Sequence, residues 1–264
     1  MNSEKHLIVV LGMHRSGTSA ITKGLEALGV DLGSEFYPAS RDNPKGNWED
    51  RRFHSLNEEV LKTLNHSWED LGQMEVEPVL ELSQGVFLPR ALALVNERLR
   101  CSTLVGIKDP RFSVLLPFWK KVFAEAAIRV SYLVSLRNPL SVAESLFQRD
   151  ALPKGKALQL WVIYNKRIIS ETAGSSRVVV DYDALLDEPS VQLGRVAHFL
   201  NLTVEQTALT AFSSEFLDPA LRHTRFSDDD IQADSGCDPI VLKLHQELRN
   251  EALASSFEGA TVDI

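Results

Sequence analysis

Cysteine is scarce in this sequence: its 264 residues include only two, Cys101 and Cys237. The two do not form a C-x-x-C pair, and their spacing is not that of zinc ligands. These absences exclude a disulfide framework and are typical of a protein from a reducing compartment. We therefore expect a cytoplasmic protein, and the sequence predicts no metal site.

Long apolar runs and an excess of basic residues are absent as well. No apolar run approaches the roughly 20 residues of a membrane-spanning helix, and residues 1–6 lack the pattern of a signal peptide. The 36 acidic residues outnumber the 28 lysines and arginines, which gives a net charge of −8. Nucleic-acid binders usually carry a basic surplus, so we expect no nucleic-acid partner and no membrane span. Locally clustered arginines in an acidic chain fit a small anionic ligand better.

Four short apolar runs are typical of buried parallel strands. They are Leu7–Leu11, Thr103–Ile107, Arg129–Leu136 and Val178–Asp181. Each run is followed by polar, glycine or proline punctuation and then by a helical pattern, and this alternation indicates a parallel sheet with helices on its faces. We therefore predict an α/β fold of three layers. Residues 1–230 are assigned to the α/β domain, and residues 231–264 to a C-terminal helical tail packed on it.

Apolar residues at helical spacing predict helices in the segments between and after these strands. The predicted helices are Ala20–Leu28, Arg52–Leu64, Leu88–Leu99, Val191–Leu200 and Asp238–Leu253.

The segment Gly12–Ser19 joins the first predicted strand to the first predicted helix. Backbone N–H groups at a helix N-terminus point at an anion, and the helix dipole favours negative charge there. Gly12 and Gly17 have the spacing of the triphosphate-binding loop G-x-x-x-x-G-K-[ST], but Thr18 occupies the lysine position and Arg15 provides a cation instead. This predicts a P-loop NTPase-like fold whose nucleotide is not a triphosphate. The alternative is a plain strand–turn–helix junction with a serine or threonine cap.

A second candidate phosphate site follows the third predicted strand. Asn138 and Pro139 suit the N-cap and first turn of a helix, which places Arg137 at the carboxyl end of the sheet, where ligands bind in open α/β folds. Ser145 lies about two turns into the helix, so we predict that Arg137 and Ser145 hold one phosphate from two sides. The alternative is an ordinary cap with a surface arginine.

Together, the two segments resemble the donor-binding signatures of sulfotransferases that use 3′-phosphoadenylyl sulfate. The loop G-M-H-R-S-G-T-S is closest to bacterial members, and the segment from Val180 to Leu200 is similar to the family's downstream strand and helix. The resemblance implies that the 5′-phosphosulfate is held by His14, Arg15, Ser16, Gly17, Thr18 and Ser19. It also implies that Arg137 and Ser145 hold the 3′-phosphate.

Arg15 stands where many members of that family have a lysine. Both side chains are cations, but an arginine does not become neutral, so Arg15 is expected to stabilise charge on the leaving group without donating a proton.

Sulfuryl transfer to a hydroxyl needs a base on the acceptor side. Glu49 ends the run N-P-K-G-N-W-E, which resembles a bacterial N-P-K-G-Y-W-E pattern. Glu35 is the second candidate, because its distance beyond the phosphate loop resembles that of the base in another branch, and His54 is a weaker third. The alternative role for Glu49 is a carboxylate that stabilises a helix N-terminus.

Two further basic segments are candidates. The run K-D-P-R at 108–111 resembles a bacterial signature, and in it Lys108 and Arg111 are predicted to contact the donor or acceptor, with Lys108 as a catalytic candidate. An internal ion-pair knot is the alternative. Arg222 and Arg225 suit a clamp on the 3′-phosphate, for which the alternative is a solvated basic patch.

The resemblance therefore implies transfer of a sulfuryl group from 3′-phosphoadenylyl sulfate to a hydroxyl of a carbohydrate or small metabolite, with adenosine 3′,5′-bisphosphate as product. No divalent metal is expected, because the lysine-and-magnesium apparatus of triphosphate sites is missing. The segments 34–50, 67–84 and 151–156 are predicted to be loops that shape the acceptor pocket. The alternatives are a degenerate P-loop nucleotide kinase and a non-catalytic nucleotide-binding protein of the same fold. The oligomeric state is not predicted.

Overall fold

A sheet of four parallel strands forms the centre of the protein, in the order β2–β1–β3–β4. The computed structural model describes residues 4–39, 43–72, 74–82, 85–218, 222 and 224–254. The strands are β1 (His6–Leu11), β2 (Leu104–Lys108), β3 (Arg129–Leu136) and β4 (Arg177–Asp181). All four predicted strands are confirmed, with ends displaced by no more than one residue.

Helices cover both faces of the sheet, and for this reason the strands are continuous apolar runs. In β1, Leu7, Val9 and Leu11 belong to the larger of two buried apolar clusters. Ile8 and Val10 belong to the smaller cluster on the opposite face. The alternation of side chains along a strand thus divides one apolar run between two cores.

The helices that bury side chains in the smaller cluster are α1 (Thr18–Ala27), α8 (Tyr182–Asp187), α9 (Pro189–Leu200) and α10 (Gln206–Ala211). The helices that bury side chains in the larger cluster are α2 (Arg51–Thr63), α3 (Val76–Glu81), α4 (Phe87–Cys101), α5 (Phe112–Glu125), α6 (Pro139–Asp150), α7 (Lys154–Glu171), α11 (Asp228–Ala233) and α12 (Pro239–Ala254). The structure therefore has the predicted three layers, with a central parallel sheet between two helical layers.

The five predicted helices are present with ends within two residues, but two stretches expected to be loops contain helices. Helix α3 lies inside 67–84 and buries only Val79, too little for an apolar pattern to reveal it. Helix α7 begins inside 151–156, where Pro153 is the N-cap residue. Proline near a helix start is compatible with helix formation, so this stretch begins a helix where a loop is predicted.

The C-terminal helix α12 packs on the same core as the sheet. Val241, Leu244 and Leu248 are buried in the larger cluster. The guanidinium of Arg177 in β4 forms a bidentate ion pair with Glu251, at 2.7 and 2.6 Å. The predicted boundary after residue 230 falls inside α11, so the division into a domain and a tail stays a prediction. Residues 255–264 of the predicted tail lie outside the described residues.

The turn from β2 into α5 is fixed by a buried carboxylate, that of Asp109. It accepts hydrogen bonds from the backbone N–H and Nη1 of Arg111, at 2.9 and 3.0 Å, and from Nδ2 of Asn57 at 3.2 Å. Burial alone would raise the pKa of Asp109, but the Arg111 guanidinium and these hydrogen bonds outweigh burial and lower it. The predicted ion-pair knot is therefore present at this turn, and it positions Lys108 at the end of β2.

Candidate functional site

The segment Gly12–Ser19 has the backbone geometry of a tight cradle between β1 and α1. Three of its residues have positive φ angles: Gly12 at 146°, Arg15 at 67° and Gly17 at 88°. A Cβ atom on Gly17 would collide with the ring of Tyr182. Only glycine combines this φ with such close approach of a ring to the backbone. Arg15 adopts a conformation uncommon for a residue with a side chain, and such strain clusters at ligand sites.

Hydrogen bonds from three serines stabilise this loop: Ser16 within it, and Ser113 and Ser135 outside it. The Ser113 hydroxyl accepts from the Gly12 N–H at 3.0 Å. Ser16 Oγ donates to the Met13 carbonyl at 2.6 Å, and Ser135 Oγ donates to the Ser16 carbonyl at 2.7 Å. The backbone N–H of Ser16 also donates to the Met13 carbonyl, at 3.2 Å. Both donors of Ser16 are therefore used within the loop, and the predicted contact between Ser16 and a phosphate stays a prediction.

Among the residues that the structure describes, none provides a side-chain cap at the N-terminus of α1. Its N-cap residue is Gly17, which has no side chain that could accept from the first N–H groups of the helix. Those N–H groups, including Thr18 and Ser19, have no partner within the helix. The alternative of a serine or threonine cap therefore does not describe this junction, and an external anion would complete it.

The two predicted phosphate sites meet at Arg15. Its Nε donates to Ser145 Oγ at 2.8 Å, and Nη1 of Arg137 donates to the Arg15 carbonyl at 3.0 Å. The Arg137 guanidinium lies over the ring of Tyr182, 4.9 Å from its centre. Arg137 is buried, burial lowers its pKa, and its Nε has no hydrogen-bond partner among the described residues. A buried guanidinium with an unused N–H is suited to an oxyanion.

Asn138 caps α6 as predicted, since its side-chain oxygen accepts from the Leu140 N–H at 2.9 Å. The cap fixes the start of the helix that carries Ser145.

A buried ion pair joins Lys108 to Glu49. The Lys108 ammonium lies 2.7 Å from Glu49 Oε1, 2.8 Å from the Asn47 carbonyl and 3.4 Å from Ser19 Oγ. The lysine side chain is 3% exposed and the glutamate 12%. Lys108 therefore links the segment that carries Glu49 to the first turn of α1.

The other two candidate bases lie apart from this pair. Glu35 Oε2 pairs with Arg51 Nη2 at 2.6 Å, and both side chains are about half exposed. The ring of His54 packs against that of Tyr37, with centres 5.0 Å apart. Neither Glu35 nor His54 is among the described residues that line the cleft at the loop. Arg111 is not among the described residues that line the cleft, whereas Lys108 is. The Arg111 guanidinium instead forms the ion pair with Asp109.

Arg222 and Arg225 both form ion pairs with Asp187, at the end of α8. Arg222 Nη1 lies 2.8 Å from Asp187 Oδ1 and 3.7 Å from Asp183 Oδ1, and Arg225 Nη2 lies 2.9 Å from Asp187 Oδ2. Arg225 lines a second cavity of about 510 Å³ rather than the cleft at the loop. Leu221 and His223, the residues on either side of Arg222, lie outside the described residues. The clamp of Arg222 and Arg225 on a 3′-phosphate stays a prediction.

One cleft brings most of the predicted site residues together. Those that line it are His14, Arg15, Gly17, Thr18, Ser19, Glu49, Lys108 and Arg137. The lining also includes residues that sequence analysis did not single out for the site: Arg149, Tyr182, Leu186, Phe216 and Leu217. Arg149 was predictable, because it follows Ser145 by one helical turn and so shares its face of α6. Phe216 lies in a π-helical turn, Phe212–Phe216, that no sequence pattern indicates.

His14 is a neutral histidine in a cationic environment. Burial lowers its pKa well below the ordinary value, and the charges of Arg111, Arg149 and Lys108 lower it further. Its ring packs against Trp68, with centres 4.4 Å apart. Its Nε2 has no hydrogen-bond partner among the described residues.

The described residues contain no group of three or more His, Cys, Asp or Glu side chains arranged to hold a metal ion. They also contain no helix with the length and apolar character needed to cross a membrane.

No protein-family model and no curated protein sequence matches this chain, but its structure is similar to solved sulfotransferase domains. The sulfotransferase domain of the Synechococcus PCC 7002 olefin synthase is 15% identical, with a TM-score of 0.52 over 94% of this chain and 97% of that one. The sulfotransferase domain from the curacin biosynthetic pathway is 17% identical, with a TM-score of 0.54 over 93% of this chain and 98% of that one. At these identities the similarity establishes a shared fold.

The geometry of the loop predicts the effect of adding one methyl group to it. Gly17→Ala should weaken binding of adenosine 3′,5′-bisphosphate by about tenfold or more, because the new Cβ collides with Tyr182 at a strained φ. Gly29→Ala is the matched control, since Gly29 has a φ of 80° but no heavy atom within 4 Å of an added Cβ. Isothermal titration calorimetry measures both affinities. Equal affinities of the two variants would contradict this account of the loop.

Proposed function

We propose that this protein is a sulfotransferase that transfers a sulfuryl group from 3′-phosphoadenylyl sulfate to a hydroxyl of a carbohydrate or small metabolite. The observation that carries the proposal is one cleft in which Arg15 and Arg137 lie beside the N-terminus of α1 and the Lys108–Glu49 pair. Ser145 orients Arg15 through a hydrogen bond but is not among the described residues that line the cleft. The fold shared with sulfotransferase domains supports it. A cytoplasmic location is part of the proposal, supported by the two unbridged thiols.

The residues of the cleft fit a doubly phosphorylated nucleotide. The open N–H groups of α1 and the Arg15 guanidinium suit the 5′-phosphosulfate, while the unused Nε of buried Arg137 suits a second phosphate. Tyr182 and Phe216 provide aromatic surface for the purine. When bound, the donor supplies an activated sulfuryl group and leaves as adenosine 3′,5′-bisphosphate.

The chain's own residues supply a base and charge stabilisation. Glu49 accepts the proton of the acceptor hydroxyl. Lys108 holds the Glu49 carboxylate in place and contacts Ser19, so the base is positioned relative to the phosphate loop. Arg15 and the N–H groups of α1 stabilise negative charge that develops on the leaving phosphate. As in phosphoryl transfer, positioning and electrostatics contribute most of the rate enhancement.

The two alternative functions differ in ligand and in chemistry. A degenerate P-loop kinase requires magnesium and a triphosphate. The presence of Thr18 at the lysine position of the loop counts against this alternative. A non-catalytic nucleotide-binding protein requires no base, and the pairing of Glu49 with Lys108 inside the cleft counts against it. Donor-product binding without sulfuryl transfer to any of a broad range of acceptors would favour the second alternative.

The donor assignment predicts that nucleotide binding does not depend on metal. Adenosine 3′,5′-bisphosphate should bind equally well with and without EDTA, and more tightly than adenosine 5′-monophosphate because only the bisphosphate reaches Arg137. Isothermal titration calorimetry measures all three affinities. Binding that requires magnesium and favours ATP would instead support the kinase.

Arg15→Ala is expected to lower kcat by about 10²–10³-fold, because it removes a cation that acts on the developing charge. The conservative variant Arg15→Lys should keep most of the activity, since a lysine ammonium can serve the same charge. The assay is acceptor-dependent release of adenosine 3′,5′-bisphosphate with a panel of sugars and phenols. Full turnover by Arg15→Ala would exclude the proposed role of this residue.

The assignment of the base is tested by two matched carboxylates. Glu49→Gln should reduce kcat by about 10²–10⁴-fold, whereas Glu35→Gln should keep it, because Glu35 pairs with Arg51 outside the cleft lining. Binding of adenosine 3′,5′-bisphosphate by both variants shows that they fold. The reverse order of the two rates would transfer the role of base to Glu35.

A further inference from the structure

The cleft is lined by Arg149, to which the proposed mechanism gives no role, and by His14, whose predicted contact with the 5′-phosphosulfate stays a prediction. Arg149 and His14 both line the cleft, and each of them contacts the ring of Trp68. The Arg149 guanidinium is 5.3 Å from the centre of the Trp68 ring, and the His14 ring is 4.4 Å from it on centres. The three side chains form one contiguous surface, which we call the Arg149–His14 subsite.

The position of Arg149 along α6 separates its guanidinium from Arg137, the residue assigned to the second phosphate of the donor. Ser145 already accepts a hydrogen bond from Arg15. Arg149 lies one helical turn further along the same face, away from Arg137 at the start of α6. Along α6, Arg149 therefore extends the cleft beyond the residue that contacts Arg15.

The Arg149 guanidinium is oriented by its neighbours and keeps donors for a ligand. Asp150 Oδ2 accepts from its Nε at 2.8 Å and lies 2.7 Å from its Nη2. Both contacts use one edge of the guanidinium and one carboxylate oxygen, so the Nη1 amino group is not engaged by this pair. An arginine oriented in this way loses little conformational freedom when a ligand binds, and its planar fork matches a carboxylate.

His14 provides the second, independent observation at the subsite. It is 8% exposed, so it is more than nine-tenths buried, and its Nε2 has no hydrogen-bond partner among the described residues. A buried polar atom without a hydrogen-bond partner lowers the stability of the folded protein unless a ligand or a water molecule forms a hydrogen bond with it. Because the Arg149 guanidinium lines the same cleft, an anion is the ligand that the two side chains together favour.

We propose that the Arg149–His14 subsite binds a carboxylate of the acceptor, so that the substrates are hydroxylated acids rather than neutral alcohols. The inference rests on the proposed function and names the acceptor class within it. Two chemical sources supply this group, an acidic sugar and a phenolic acid, and the subsite recognises the carboxylate that they share.

The experiment compares acids with their neutral counterparts on protein saturated with adenosine 3′,5′-bisphosphate. One pair is methyl β-D-glucuronide and methyl β-D-glucoside, and the other is 4-hydroxyphenylacetate and 4-hydroxyphenylethanol. Dissociation constants are measured by ligand-observed NMR for the wild type, Arg149→Gln and the control Arg100→Gln. Arg100 is an exposed arginine at the end of α4.

In at least one pair the wild type is expected to bind the acid about 10- to 100-fold more tightly than the neutral compound, as for a charge-assisted hydrogen bond in a partly buried site. Arg149→Gln should reduce that ratio to about one, and Arg100→Gln should keep it. The pair that shows the preference identifies the source of the carboxylate.

No preference for the acid in either pair, no detectable binding of either acid, or a preference that persists in Arg149→Gln would overturn the proposal. A rise in melting temperature with adenosine 3′,5′-bisphosphate, measured for each variant, shows separately whether the donor site is intact. Its absence in the wild type would count against the proposed function rather than against the subsite alone.

Discussion

The uncapped N-terminus of α1 is the constraint on which the rest of the site depends. Gly17 occupies the N-cap position with a φ of 88° and its backbone against the Tyr182 ring, so within the described part of the chain the first N–H groups of the helix have no side-chain cap. A helix end of this kind favours an anion through its free donors and its dipole. The serines beneath the loop and the arginines around it are arranged about that one requirement.

The charges around the loop divide between two roles. Arg15 and Arg137 converge on the loop and are suited to the anions of a nucleotide, whereas Lys108 is paired with the only carboxylate proposed to react, Glu49. The chain as a whole carries a net charge of −8, so the cationic cleft is a local feature set by these few side chains. Such a cleft concentrates anionic ligands without making the protein a general binder of polyanions.

The strands and helices could be predicted well from the sequence, because apolar patterns and turn residues are local. The contacts within the site were predicted less well, because they join residues that are far apart in the sequence. The apolar run in β1 and the glycines at 12 and 17 determine a strand and a turn whatever surrounds them. By contrast, the contact of Ser145 with Arg15 and the pairing of Asp187 with Arg222 depend on how separate elements pack. The position of Arg149 could be predicted in part, because a residue one helical turn from Ser145 lies on the same face of α6.

A crystal structure with adenosine 3′,5′-bisphosphate bound tests the central claim most directly. The account predicts the 5′-phosphate at the first N–H groups of α1, the 3′-phosphate against Arg137 and Ser145, and Glu49 facing the open side of the 5′-phosphate. A nucleotide bound elsewhere, or with its 5′-phosphate away from the loop, would contradict the account.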